Sequence, residues 1–208
     1  MVQHAPLRLR GAVVIDAMQP QFAGLLAATS DGFLPVPGET AYWIEIEPGI
    51  AINGLLDTAL KSADVRPGAL ISERHFGTLE VHGPDQGQVR EAGALALRKA
   101  GLDPANVEAP EVLTSEIIHH MDAHHAALVN RSRGGMLALA GDTLFTLEVT
   151  PAVWVLLAAN EAEKAAPIRL VDLENQGAVG RLRLCGDEAS VEVAVRAAEL
   201  ALTSVAPA

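Results

Sequence analysis

His119, His120, His124 and His125 crowd around Asp122 and form the densest set of potential metal ligands in the chain. On a helix, His120 and His124 at i and i+4 would share one face and could chelate zinc. The pattern is incomplete. No glutamate stands beside the first histidine, and no cysteine or distant third ligand completes a coordination shell. Solvated surface histidines are the commoner reading, and no metal is expected.

Other reactive types are equally unsupported. Gly32, Gly38, Gly134, Gly135, Gly141, Gly177 and Gly180 are turn glycines: no Lys-Ser or Lys-Thr follows them and none opens a helix after a strand, as a phosphate loop requires. Ser30, Ser72 and Ser115 lack a nucleophile-elbow context. Cys185, the only cysteine, lies in a strand-like run where a buried thiol is inert, and it rules out an intrachain disulfide. With no catalytic residues and no cofactor motif, the chain is expected not to be an enzyme.

Two sets of charges remain. Glu73 and Arg74 lie at the tip of a predicted hairpin, where a solvated ion pair would be worth about 0–1 kcal/mol. Lys61 and Lys164 follow Asp57 and Asn160 by four residues on predicted helices, a spacing that supplies a few tenths of a kcal/mol (~0.3–0.5) at a solvated surface.

The elements that must hold these residues come in two copies. Shifting the chain by 103 positions aligns Gly38 with Gly141, Thr40 with Thr143, Glu45 with Glu148 and Pro48 with Pro151, and the register runs on to Gly83/Gly186. There are 12 identities over the 46 positions from 38 to 83. In the first copy, Leu9 to Ile15 and Tyr42 to Glu47 read as strands and Pro20 to Ala28 as a helix. Apolar residues at 51, 52, 55, 56, 59, 60 and 63 recur at helical spacing. Ala69 to Glu73 and Phe76 to His82 form a hairpin, and a helix from Gln86 to Ala100 is begun by Asp85 and ended by Gly101. In the second copy, strands are expected near Ala126 to Val129, Leu144 to Val149, Ile168 to Leu173 and Val179 to Cys185, with helices over about 154–166 and 188–203. Leu102 to Val112 reads as the connector, dividing the chain into units 1–104 and 105–208. The fold class is α/β, of the α+β ferredoxin-like kind, with each unit a small, mostly antiparallel sheet flanked by helices.

Composition fits layered helices and sheet. Half the residues are apolar and only 3% are aromatic, so Ala, Val, Leu and Ile must fill the core. A net charge of −11 argues against nucleic-acid and anionic-membrane partners, which need a basic face. The run Ala152 to Ala159 is too short to cross a bilayer, and Asp16 interrupts the apolar run Ala12 to Ile15. A soluble, cytosolic protein is expected.

Several stretches carry a family likeness: Met18-Gln19-Pro20-Gln21, Gly32 to Gly38, Glu47 to Ile52, Glu73-Arg74 before Gly77, Asn130-Arg131, and Ala159 to Ala166. Over residues 8 to 204 they resemble the tandem-domain, trimer-forming shell proteins of bacterial microcompartments, specifically the circularly permuted, carboxysome-associated subgroup. The resemblance implies two tandem microcompartment domains and a structural role in the shell. It further implies a homotrimer shaped as a pseudohexagon, a stacked pair of such trimers, and neighbouring hexameric and pentameric shell proteins. Glu73 and Arg74 would line a gated central pore that passes small metabolites, opposite Gln176 and Gly177 in the second copy. Charges in such a constriction interact more strongly than surface pairs, by roughly the ratio of effective dielectric constants, about 80 to about 20. Lys61 and Lys164 would sit at the tile edge. Two other classes compete: a ferredoxin-like trimeric small-molecule sensor, which would need more than the 15 Lys and Arg present against 26 acids, and a metal-dependent enzyme built on the histidine cluster.

Overall fold

The computed structural model describes residues 5–205. The first sheet is built from β1 (Arg8–Ile15), β2 (Thr40–Glu47), β3 (Arg66–Glu73) and β4 (Phe76–Gly83), in the spatial order β1-β2-β4-β3 with every neighbouring pair antiparallel. The second, from β5 (Glu111–Ile118), β6 (Thr143–Thr150), β7 (Arg169–Glu174) and β8 (Gly180–Gly186), repeats that order as β5-β6-β8-β7. Adding 103 to the bounds of β1 and β2 gives those of β5 and β6. The peptide bonds before Pro48 and Pro151, an aligned pair, are both cis.

Among the described residues six α-helices complete the two units: α1 (Pro20–Thr29), α2 (Ile52–Ser62), α3 (Gln86–Lys99), α4 (Ala123–Val129), α5 (Trp154–Ala165) and α6 (Glu188–Thr203). As the sequence indicates, Asp85 caps α3, its carboxylate accepting from the Gln88 amide at 3.1 Å, and Gly101 follows the helix at φ +72. Asp187 caps α6 in the same way, by accepting from the Ser190 amide at 3.0 Å.

Two expectations need correction. The run Ala126 to Val129 is not a strand but the body of α4, and the missing strand is β5, which starts inside the supposed connector. A short apolar run cannot be assigned by periodicity alone. Here the cap decides it: the Asp122 carboxylate accepts from the His124 amide at 2.8 Å and nucleates a helical turn. The β5 sequence Glu-Val-Leu-Thr-Ser-Glu-Ile-Ile has no apolar/polar alternation because nearly all of the strand is exposed in the single chain.

The cores explain the patterning. Alternate residues of β2 serve opposite faces. Tyr42, Ile44 and Ile46 meet Leu55 and Ala59 of α2 and Val89, Ala92 and Ala96 of α3. Ala41 and Trp43 turn the other way, onto Phe22, Leu25 and Leu26 of α1. That second core does not stop at the end of the first unit: it runs on through Val153, Trp154, Ala159, Ile168 and Leu170, so the two sheets share one continuous apolar body.

Candidate functional site

The pairing of Glu73 with Phe76 leaves Arg74 and His75 as a two-residue turn between β3 and β4. Such hairpins need positive φ, and Arg74 supplies it at φ +52, uncommon for a residue with a side chain. Its repeat equivalent, Gly177, adopts φ +82 without that cost. Glu73, Arg74 and Gln176 are all exposed. The two tips meet: a Cβ placed on Gly177 would lie 3.3 Å from Oε2 of Glu73. The structure thus brings the sequence-predicted pair Glu73 and Arg74 beside the corresponding turn of the second unit.

The base of the hairpin is tied to the seam between units. The Arg10 guanidinium stacks on the Phe76 ring, 3.9 Å from its centroid. Arg10 Nε lies 3.3 Å from Glu45 Oε1, an ion pair too poorly aligned to be a hydrogen bond. The other carboxylate oxygen of Glu45 accepts from the Val153 amide at 2.8 Å, at the start of α5. Glu45 is 1% exposed, and burial pushes its carboxyl up to about 7 although Arg10 and the Val153 amide pull the other way.

Nearer α1 the seam is polar. Glu163 accepts from the amides of Gln21 and Phe22, each at 2.8 Å. Asn160 Oδ1 accepts from the Gln19 amide at 3.0 Å. The Gln21 side chain donates to the Ile168 carbonyl at 2.8 Å and accepts from the Leu170 amide at 2.9 Å, so it occupies the open edge of β7 as a short piece of strand would.

The two lysines lie on the helices that precede the two hairpins, each in the last turn. Lys61 pairs with Asp57 at 2.6 Å, as its spacing indicates. Lys164 does not use Asn160, which is buried and engaged by Gln19. It pairs with Glu161 at 3.3 Å instead. Both ammonium groups are largely exposed.

The histidines are not brought together as a chelate. His120 precedes α4 at φ +50, so its i, i+4 relation to His124 is not helical. His119 lies 3.6 Å from Glu188, and His124 lies 3.4 Å from Asp122 with its ring almost wholly exposed. Among the described residues no three His, Cys, Asp or Glu side chains converge on a metal position. Among the described residues no helix is long and apolar enough to cross a membrane.

Sequence reasoning gave no seam role to Arg10, Gln21, Glu45 or Glu163, although Gln21 and Glu163 lie in stretches that carry the family likeness and Glu45 recurs as Glu148. Glu45 left a trace, a carboxylate between Ile44 and Ile46 in a strand buried everywhere but at its last residue, Glu47. A buried acid inside an apolar strand needs a donor from elsewhere. The seam roles of Gln21 and Glu163 carry no local signal, because their partners lie more than a hundred residues away, and Arg10 meets Glu45 and Phe76 only in the folded sheet.

A family model described as the CsoS1D N-terminal domain matches residues 9–106. The carboxysome shell protein CcmP of Synechococcus elongatus is 46% identical over 199 residues, covering 96% of this chain and 93% of that protein. Two solved structures superimpose over nearly the whole length. The fused permuted hexameric shell protein MSM0275 from the RMM microcompartment has 45% identity and a TM-score of 0.92, with 94% of this chain and 96% of that one covered. The double ringed trimeric shell protein MSM0271 from the same microcompartment has 36% identity and a TM-score of 0.93, with 97% and 98% covered. A duplicated sheet unit, two abutting hairpin turns and full-length kinship agree, and the chain belongs to the tandem-domain microcompartment shell proteins of the CcmP and CsoS1D family, in which its role is structural.

Proposed function

We propose that the chain assembles as a homotrimer whose six units, residues 1–104 and 105–208 of each copy, close a pseudohexagonal tile around a central opening. The observation that carries this reading is the contact of Glu73 with Gly177: equivalent turns of the two units stand side by side, as successive turns around a common axis must. Three copies then alternate Glu73-Arg74 with Gln176-Gly177 around the opening. The first turn carries two long charged side chains, both exposed, where the second has Gln176 and Gly177, so the charged side chains decide how wide the opening is. Paired across the axis, Glu73 and Arg74 fill it. Swung aside, they leave a passage lined by donors and acceptors, suited to small polar or charged metabolites.

Lys61 and Lys164, exposed on equivalent helices, serve as the tile edge, where hexameric and pentameric shell proteins are the neighbours. Stacking of two trimers is part of the same proposal, and the double ringed relative supports it. Electron microscopy of the purified protein tests the whole reading. Pseudohexagonal particles or sheets with a central opening are expected, and isolated monomers would overturn it. Glu73→Ala combined with Arg74→Ala should leave the trimers intact with a wider hole. Dissociation would instead make these residues interface supports.

A further inference from the structure

Arg10 is the extra residue of a bulge. In the pairing of β1 with β2, Leu9 faces Ile46 and Gly11 faces Glu45, and Arg10 between them has no partner. Bulges re-aim a side chain. This one sends a residue that is only 6% exposed into the seam between the units. There the guanidinium lies on the Phe76 ring, and one of its terminal nitrogens donates to the Thr150 hydroxyl at 3.3 Å. Thr150 hands the contact on, its hydroxyl donating to the Ala178 carbonyl at 3.0 Å. Phe76 is the first residue after the Arg74-His75 turn, and Ala178 the first after Gly177. One side chain therefore reaches the root of both turns, the first directly and the second through a single hydroxyl.

We propose that Arg10 is a positioning residue of the central opening, joining the Glu73-Arg74 turn and the Gln176-Gly177 turn of each chain into one piece so that the two shift together. This rests on the trimer and opening argued above. The repeat shows that the fold itself does not ask for an arginine. β5 carries the same bulge, between Val112 and Thr114, with Leu113 in the place of Arg10. A buried cation is costly where an apolar residue would serve, so the arginine points to contacts that need its flat face and its N–H edge at once. The rest of the set is also peculiar to this seam: Val179 stands for Phe76 and Glu47 for Thr150, so neither ring nor hydroxyl recurs.

The link is thus made once per chain, and the six turns of a trimer group as three pairs. Glu45 and Glu108 flank the cation, their carboxylate oxygens 3.3 and 3.6 Å from Nε. With the roots of each pair held, the Glu73 and Arg74 side chains are the parts left free to swing.

A double-mutant cycle read by hydrogen exchange tests the coupling. Thr150→Val in the full-length protein should speed amide exchange by about three- to tenfold, the scale of one hydrogen bond, at residues 178–182. It should also speed exchange at residues 76–79, where Thr150 makes no hydrogen bond of its own. Repeated on Arg10→Met with Glu45→Gln, which removes the cation without stranding a buried charge, the same change should act at 178–182 only. A first hairpin left unchanged, or loosened equally in both backgrounds, would overturn the role of Arg10. Phe76→Leu gives the reverse measurement should the Arg10 variant not fold: it should speed exchange at 178–182, and no effect there would overturn the link equally. Exchange in α3 and α6 should stay as it is throughout, and a matching rise there would make Arg10 a support of the fold alone. Light scattering separates the two levels of failure. A mass of three chains with uncoupled turns would remove Arg10 and leave the opening standing. A mass of one chain would remove both.

Discussion

Both carboxylate oxygens of Glu163 are taken by the first turn of α1, one by the Phe22 amide and the other by its neighbour Gln21, each at 2.8 Å. A side chain of the second unit thus does for α1 what a local cap does for most helices, and also places negative charge at the positive end of the helix dipole. Glu163→Ala should cost about 1–2 kcal/mol and lower Tm by roughly 2–8 °C for a chain of this size. Glu163→Gln, which keeps one acceptor, should fall between. Thermal unfolding of the three proteins at one concentration checks this. Equal Tm values would mean that water replaces the cap at no cost.

Glu45 makes stability depend on pH in a direction opposite to that of most carboxylates. Its carboxyl titrates at about 7 in the fold against an ordinary value of 4.5, with desolvation outweighing Arg10 and the Val153 amide. Between those values the native state holds a proton that the unfolded chain has released. The group's contribution to stability is therefore greatest below 4.5 and falls as pH rises through 7. The loss amounts to roughly 3 kcal/mol, from ~1.4 kcal/mol for each pH unit of that interval. Glu45→Gln keeps an acceptor for the Val153 amide and removes the titration. Urea denaturation between about pH 5 and about pH 8 should show a flatter profile for the variant. Identical profiles would place the pH dependence elsewhere.

How far the sequence reveals this depends on the range of the interaction. The duplication was visible because turns and strand cores are local: Gly38 and Gly141 recur at φ +85 and +86, and Glu39–Arg66 and Asp142–Arg169 are the same ion pair twice. The hairpin carrying Glu73 and Arg74 followed from two short strands and a turn. β5 was missed because its apolar residues are not patterned for burial in the chain itself. Lys164 was given the wrong partner because helical spacing cannot tell that Asn160 turns inward to Gln19. Gln21 and Glu163 stand in stretches of family likeness, but their contacts were not legible since each acts across 140 residues or more.

Lys61 and Lys164 separate folding from assembly. Their pairs with Asp57 and Glu161 lie at an exposed surface and contribute about 0–1 kcal/mol each. Lys61→Ala and Lys164→Ala should therefore move Tm by no more than about 2–4 °C. If the lysines form the tile edge, the double variant should still give discrete particles yet fail to extend into sheets where the unmodified protein does, as seen by negative-stain microscopy. Sheets that persist unaltered would return both lysines to the status of ordinary helix-surface cations.

The glycines kept in both copies sort into three kinds with different expected costs. A methyl on Gly77 would overlap the Gly49 carbonyl, and one on Gly180 the Ala152 carbonyl, where backbone crosses backbone and neither can yield. Gly77→Ala or Gly180→Ala should cost about 3 kcal/mol or more, in the range of the severe core defects. Gly38 and Gly141 have nothing within 4 Å of a Cβ, so there the penalty is the left-handed backbone alone, about 1 kcal/mol. For Gly83 the nearest atom is Val89 Cγ2 at 3.5 Å, an ordinary contact. Gly83→Ala should be within about 1 kcal/mol of neutral, since it also restricts the unfolded chain. Denaturant midpoints for the series should rank Gly83→Ala above Gly38→Ala, and both above Gly77→Ala. If Gly83→Ala proved as damaging as Gly77→Ala, close backbone approach would not be what sets Gly77 and Gly180 apart.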